Sequence, residues 1–184
     1  TDGIGFFKSL ETLRAFHVRN KRLTILGGGG ASTAIIAQAA IDGAKEINIF
    51  CRPQSVERTV ATVQTIAQTT GVSLQVLPNN DSQLLAEHIN NSDLLINGTS
   101  VGMDGTSLLL PATIRFPEEL LVADVIYQPF ETPLLKMANS QGNPTINGLG
   151  MLLFQAAEAF ELWTGKEMPT DLIWQLLVQK YDIK

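Results

Sequence analysis

The sequence has few of the residues on which several functional classes depend. Its single cysteine, Cys51, excludes an internal disulfide framework and suits a reducing, cytoplasmic compartment. Neither of its two histidines has a cysteine or carboxylate at ligand spacing, so we expect no metal site. The 13 Lys and Arg are scattered and are outnumbered by 18 Asp and Glu, giving a net charge of −5. This balance disfavours binding to nucleic acid or to an anionic membrane surface.

Long apolar runs are also missing. No segment is long and apolar enough to cross a bilayer, and no secretory signal follows a basic start. With 184 residues, of which 45% are hydrophobic and 17% charged, the chain suits one well-packed domain and is too short for two. We therefore predict a soluble, cytoplasmic protein with a single domain over residues 1–184.

Short strand-like and helix-like segments alternate along the chain. Starting at "KRLTIL", six segments rich in Leu, Ile and Val are separated mainly by helical patterns and short connections. Such alternation predicts parallel strands joined by right-handed crossovers, with helices covering both faces. We expect an α/β fold of the doubly wound Rossmann type, with a six-stranded, mainly parallel sheet. The stretch "GMDGTSLLLPATIRFPEE" is predicted to be a loop at the carboxyl edge of the sheet, where ligands bind in such folds.

A glycine run lies directly between the first strand and the following helix: Gly27, Gly28, Gly29, Gly30 and then Ala31. The first glycine permits a tight turn, and the third lets the backbone approach a pyrophosphate. The helix N-terminus adds free N–H groups and a partial positive charge. This context favours a dinucleotide site over a flexible turn without a ligand. A site for S-adenosylmethionine is the main competitor.

The exit of the second strand distinguishes between cofactors. Sites that prefer NAD usually carry an acid about 20 residues after the glycines, to bind the ribose hydroxyls. Here the strand ends in Cys51 and Arg52, with Arg58 soon after. Unless the two arginines are ordinary surface residues, they suit a 2′-phosphate and favour NADP(H), with NAD(H) as the alternative. The same basic pair, in place of an acid, disfavours a methyltransferase. Cys51 is expected to line the adenosine end of the cofactor site.

Five segments together resemble the shikimate and quinate/shikimate 5-dehydrogenase family across essentially the whole chain. In order, they are "TDGIGF", "GGGGAS", "INGTSVGM", "DVIYQPFETPLL" and "NGLGMLLFQAAEAFELWTG". The resemblance implies the NADP(H)-binding domain of an oxidoreductase in aromatic amino-acid biosynthesis. Such an enzyme interconverts 3-dehydroshikimate and shikimate, or the quinate pair, by hydride transfer with the nicotinamide.

On the substrate side the resemblance implies three roles. Asp2 matches an aspartate that, together with a lysine, brackets the reacting oxygen and handles its proton. It also fits the N-cap of the first helix. Tyr127 and Gln155 match positions that touch the substrate. Without the resemblance, Tyr127 is equally a half-buried aromatic, and Gln155 a buried amide bonded to the backbone.

On the cofactor side the resemblance implies that Val125 and Gly148 border the nicotinamide and that Arg52 faces the 2′-phosphate. Thr99 lies in the segment "INGTSVGM", and the resemblance of this segment to a family motif implies a contact with the cofactor. The chain departs from the family pattern at Cys51, where Asn is usual, and at the following Pro53, where a polar residue is frequent. These departures keep NAD(H) as an alternative cofactor.

No segment corresponds to the substrate domain of the family or to its catalytic lysine. We therefore expect residues 1–20 and 148–184 to form helices that bridge to a missing substrate domain, and the chain alone to bind cofactor with little turnover. Apolar faces on these helices would favour self-association, so a homodimer is one expected outcome. Trp163 and Trp174 are predicted to lie in the core. The alternative function is a stand-alone dinucleotide-binding module without catalysis.

Overall fold

Six short strands form the centre of the molecule. A computed structural model describes residues 1–181, and residues 182–184 of the predicted domain lie outside the described residues. Four of the strands are buried at nearly every position, as their apolar runs predict. The strands are Arg22–Leu26 (β1), Glu46–Cys51 (β2), Ser73–Pro78 (β3), Leu94–Asn97 (β4), Leu121–Asp124 (β5) and Thr145–Ile146 (β6).

Helices connect the strands and extend beyond them at both ends of the chain. A single 3-10 turn, Pro53–Ser55, precedes the third helix. The stretch 102–119 contains no helix or strand, so the predicted loop is confirmed. The α-helices are Asp2–Arg14 (α1), Gly30–Ile41 (α2), Val56–Thr70 (α3), Ser82–Asn90 (α4), Pro133–Ser140 (α5), Leu149–Thr164 (α6) and Thr170–Tyr181 (α7).

The strands pair in the order β3-β2-β1-β4-β5-β6. All five neighbouring pairs are parallel, so the predicted Rossmann-type sheet is confirmed and is wholly parallel in the described chain. The direction of winding reverses between β1 and β4, which lie side by side in the sheet. Such a switch point opens a crevice beyond the carboxyl ends of the strands.

Two apolar layers enclose the sheet. One layer packs α1, α2, α3 and α6 on one face, and the other packs α4, α5 and the loop 102–119 on the opposite face. Successive residues of a strand pack into opposite layers. Ile25 belongs to the first layer and its neighbour Leu26 to the second. Because both faces are covered, open space near the strands is left at their ends.

Helix α1 approaches its neighbours closely because glycines lie at the contacts. A Cβ added to Gly3 would overlap Ala34 of α2, and one added to Gly5 would overlap the backbone of Gln155 in α6. A Cβ on Gly150 of α6 would lie 2.8 Å from the Ser9 Cβ of α1. These contacts fix the first residues of α1 against α2 and α6.

The ends of the predicted bridging helices differ from expectation. Helix α1 ends at Arg14 rather than continuing to residue 20, because Ala15 adopts a left-handed conformation with φ 52°. The prediction that Trp163 lies in the core is wrong, since 83% of this residue is exposed. It lies at the end of α6, and α7, which follows, buries none of its residues. None of the described helices combines the length and apolarity needed to cross a membrane.

We expect Gly5→Ala to destabilise the fold because the new methyl group would overlap the Gln155 backbone. Overpacking of this kind costs about 1–3 kcal/mol in the free energy of unfolding, which urea denaturation measures. Gly30→Ala is the matched control, since nothing lies within 4 Å of its added Cβ and it begins α2. Equal stability of the two variants would contradict the close packing of α1 on α6.

Candidate nucleotide-binding site

A cavity of about 510 Å³ opens at the carboxyl edge of the sheet, beside the switch point between β1 and β4. It is bounded by the turn after β1, the exit of β2, the start of α3 and the exit of β4. Leu109, from the loop 102–119, completes one side. Seven residues predicted to bind cofactor line it: Gly27, Gly28, Gly29, Cys51, Arg52, Arg58 and Thr99.

The glycine turn has two parts with different surroundings. Gly27 has φ +103°, and a Cβ there would lie 2.6 Å from the Thr99 methyl carbon. A Cβ on Gly28 would lie 2.7 Å from Cγ2 of Thr59. Gly29 and Gly30 differ, since an added Cβ would meet nothing within 4 Å. The first two glycines are therefore required by packing, and the next two face open space.

Helix α2 begins at Gly30, followed by Ala31, and has no side-chain cap. The first N–H groups of a helix have no partner within it. These groups and the positive end of the helix dipole form an anion site directly after the glycine turn. Gly30 and Ala31 contribute to this helix start, although neither lines the cavity.

Two arginines also line the cavity. Arg52 directly follows β2, and Arg58 lies in the first turn of α3. Both side chains are exposed, and neither joins an ion pair within residues 1–181. The guanidinium groups are thus available to an anionic ligand.

Three further residues line the same cavity. Cys51 is buried and lines the cavity, as predicted from its place at the end of β2. Ser55 and Asn79 also line it but were not identified from the sequence. Asn79 directly follows β3, and its N–H donates to the Cys51 carbonyl at 2.9 Å. The position of Asn79 directly after a strand was the sequence signal that could have identified it as a cavity residue.

The residues predicted around the nicotinamide and substrate lie outside this cavity. Val125 and Gly148 are in contact, because a Cβ on Gly148 would overlap the Val125 carbonyl. Tyr127, two residues further along, is 43% exposed. Gln155 is half-buried, and its Nε2 donates to the Leu152 carbonyl at 3.1 Å. The expected backbone bond of this amide is therefore present.

The expectation that Asp2 caps α1 is wrong. Thr1 holds the N-cap position, no side chain accepts a capping hydrogen bond, and Asp2 is the first helical residue. The helix begins one residue earlier than an N-cap at Asp2 would require, and the Asp2 carboxylate is exposed. Gly3 and Gly5 pack on α2 and on Gln155 of α6, so Asp2 directly precedes the residues of α1 that make these contacts. The closest lysine in sequence, Lys8, pairs instead with Glu158 at 3.2 Å.

A buried carboxylate beyond the cavity was not identified as functional from the sequence. Asp124 ends β5 and accepts hydrogen bonds from Asn97, from the Ile126 N–H and from the Thr132 hydroxyl. Burial raises the pKa of Asp124 to about 6, outweighing these hydrogen bonds, which lower it. An acid at the end of an apolar strand is the signal that sequence reasoning could have used. No cluster of His, Cys, Asp and Glu suited to a metal occurs among residues 1–181.

Comparison with known families and proteins matches this chain to a group of dehydrogenases. Residues 148–178 match the family described as the shikimate 5′-dehydrogenase C-terminal domain. The chain is 80% identical over 184 residues to shikimate dehydrogenase (NADP⁺) of Streptococcus suis, covering 100% of this chain and 64% of that protein. The chain thus spans less than two thirds of the length of this relative.

Solved structures with the same fold carry nucleotides. Shikimate 5-dehydrogenase of Listeria monocytogenes, in complex with shikimate and NAD, is 43% identical with a TM-score of 0.88. The match covers 96% of this chain and 62% of that one. The enzyme of Thermus thermophilus, in complex with NADP(H) and shikimate, is 30% identical with a TM-score of 0.75, covering 92% and 58%.

We expect Gly29→Ala to weaken NADPH binding without loss of stability. Gly29 has φ −84° and ψ −173°, which alanine adopts freely, and the new methyl group would meet only the space left for an anion. A rise in Kd of about tenfold corresponds to about 1.4 kcal/mol. Fluorescence titration measures the Kd, and thermal unfolding provides the control. Unchanged NADPH affinity would place the pyrophosphate elsewhere.

Proposed function

Because the chain belongs to the shikimate dehydrogenase family, we propose that it is the NADP(H)-binding part of an enzyme that interconverts 3-dehydroshikimate and shikimate. The observation that carries the proposal is a cavity next to an uncapped helix N-terminus and lined by two arginines that join no ion pair within residues 1–181. The chain spans 64% of the length of the Streptococcus suis relative, so the catalytic activity is proposed for the whole protein.

The residues around the cavity fit the cofactor. The free N–H groups at the start of α2, after Gly29, would hold the pyrophosphate. Arg52 and Arg58 would hold the 2′-phosphate by charge-assisted hydrogen bonds, with Cys51 and Thr99 as further lining of the cavity. When bound, NADP(H) supplies the hydride chemistry at its nicotinamide ring. The contact of the Val125 carbonyl with Gly148 would form a border for that ring.

Three residues would serve the substrate. Asp2 would exchange a proton with the reacting oxygen, in concert with a lysine, because its exposed carboxylate directly precedes the residues of α1 that pack on α2 and on Gln155. Tyr127 and Gln155 would touch the substrate. Gln155 keeps free hydrogen-bonding capacity, since its Nε2 makes one bond and an amide offers four. These three roles extend the site beyond the cavity toward α1 and α6.

We also propose a cytoplasmic location and self-association into a homodimer. The location is supported by the single, buried Cys51, which leaves no disulfide to form. Self-association is supported by exposed apolar residues at the end of α6, notably Leu162 and Trp163. Analytical ultracentrifugation tests the dimer, and a monomer at every concentration would contradict it.

We expect Arg52→Ala to weaken NADPH binding by about 10- to 100-fold, the effect of one or two lost hydrogen bonds to a charged group. NADH lacks the 2′-phosphate, so its affinity should change little. Side-by-side titration with both cofactors measures the difference. Arg22→Ala is the matched control, since Arg22 starts β1 and pairs with Glu46 away from the cavity. An equal loss for NADPH and NADH would contradict the proposed phosphate contact.

We expect Asp2→Asn to lower kcat for NADP⁺-dependent shikimate oxidation by about 100-fold or more in the complete protein, the usual effect of losing a general acid–base group. The NADPH affinity of this chain should not change, because Asp2 lies outside the cavity. Glu11→Gln is the control, since Glu11 is exposed on the same helix and lies beside His17. A variant that keeps full kcat would rule out proton transfer by Asp2.

A further inference from the structure

Two buried polar residues meet where adjacent strands end. Asn97 is the last residue of β4 and Asp124 the last of β5, and they are register partners in the sheet. Each is 1% exposed. The Asn97 amide nitrogen donates to both carboxylate oxygens at 3.1 Å. The carboxylate also accepts from the Ile126 N–H at 3.0 Å and from the Thr132 hydroxyl at 2.7 Å.

The carboxylate determines how the Asn97 amide is oriented. An ionised carboxylate only accepts hydrogen bonds, so the NH₂ end of the amide must face it. The amide oxygen then faces Thr99, accepting from its N–H at 3.0 Å and from its hydroxyl at 2.8 Å. The Thr99 hydroxyl in turn accepts from the Val101 N–H at 3.1 Å.

This chain of hydrogen bonds reaches the cofactor cavity. Thr99 and Val101 line the cavity, and the Thr99 methyl group fills the space beside Gly27 where a Cβ would lie. The carboxylate of Asp124 itself is not among the groups that line the cavity. It therefore acts on the glycine turn through Asn97 and Thr99.

The same carboxylate holds the segment that follows β5. Its bond from the Ile126 N–H fixes the backbone just before Tyr127. The Ile126 carbonyl accepts from the Gly148 N–H at 3.0 Å, at the start of α6. The Thr132 hydroxyl, besides donating to the carboxylate, accepts from the Leu135 N–H at 3.3 Å and caps α5.

We propose that Asp124 is a positioning residue that sets the spacing between two parts of the active site. One part is the segment Asn97–Val101 on the cofactor cavity, and the other is the segment Val125–Thr132, which carries Tyr127. The inference rests on the proposed function, because it takes the cavity as the NADP(H) site. Because one carboxylate accepts hydrogen bonds from donors on both segments, the two segments are held together as a single unit.

The surroundings of this carboxylate are neutral. Its partners from β4, from the segment after β5 and from the cap of α5 are Asn97, Ile126 and Thr132. Within residues 1–181 no ion pair involves Asp124. Glu131, which precedes Thr132, accepts from Asn139 instead. The ionisation of Asp124 is thus governed by burial, which raises its pKa to about 6.

Protonation has opposite effects on the fold and on the site. The raised pKa means that the folded state binds the proton more tightly than the unfolded state, where an aspartate titrates near about 4. The contribution of Asp124 to stability therefore rises as the pH falls from about 6 toward about 4. Over the same range one carboxyl oxygen gains a hydrogen and becomes a donor, so at least one of the accepted hydrogen bonds is weakened or reversed. A rearrangement of the hydrogen bonds to both segments, together with a gain in stability from Asp124, is a combination that a merely stabilising residue would not give.

The first experiment follows backbone amide chemical shifts of this chain by NMR between pH 4.5 and 7.5. We expect the amides of Thr99 and Ile126, which lie on different segments, to titrate together with a midpoint near pH 6. In Asp124→Asn this transition should disappear. Asp104→Asn is the control, because Asp104 is an exposed carboxylate in a loop turn, whose hydrogen bonds from Ser107 and Thr106 lower its pKa to about 2. It should leave the transition unchanged.

The second experiment measures the Kd of NADPH and NADH at pH 7.5, where the 2′-phosphate of NADPH is fully ionised. We expect Asp124→Asn to weaken both cofactors by a similar factor of about ten, the effect of one charge-assisted hydrogen bond. This distinguishes it from Arg52→Ala, which is selective for NADPH. The double variant N97D/D124N returns a carboxylate and an amide to the pair and should recover part of the loss.

Each outcome bears on one proposal. Separate titration of Thr99 and Ile126, or wild-type affinity in Asp124→Asn, would overturn the positioning role. If Asp124→Asn does not fold, the wild-type titration alone decides whether the two segments are coupled. Failure of the wild-type chain to bind either cofactor would overturn the proposed function, and the joint titration would still test the connection between the segments.

Discussion

Burial of both faces of the parallel sheet is the constraint on which the rest of this structure depends. The strands supply apolar side chains to two layers, so polar groups find room where the strands end. Since all strands run in one direction, their carboxyl ends lie at one edge. The glycine turn, Arg52, Asn97 and Asp124 all follow or end strands at that edge. The site is a result of how the sheet is covered.

Two kinds of contact at this edge of the sheet have different roles. Open backbone at Gly29 and Gly30 provides space and unpaired N–H groups, which suit a ligand of high negative charge. Buried side-chain hydrogen bonds, centred on Asp124, hold the flanking segments in place. The first kind must stay accessible, whereas the second must exclude water for its bonds to be strong. The open backbone follows β1 and the buried hydrogen bonds lie at the ends of β4 and β5, so one edge serves both needs.

Much of the fold follows from local sequence patterns, because apolar periodicity and glycine position report directly on strands, helices and turns. The glycine run and Arg52 were found in this way, since each adjoins a strand. Ser55 and the Asn97–Asp124 pair were missed, because their environment depends on which strands become neighbours and in what register. Trp163 was misplaced for a related reason: an apolar residue is buried only where another element covers it.

The glycine contacts of α1 have a mechanical consequence. Gly3 and Gly5 leave no space between this helix and its neighbours α2 and α6, so the helix cannot slide or tilt without collision. The carboxylate of Asp2 and the side chain of Gln155 are therefore carried by one rigid body, together with the start of α2. Any movement of the surrounding segments must therefore occur relative to this body, within which the Asp2 carboxylate keeps its position relative to α2 and Gln155.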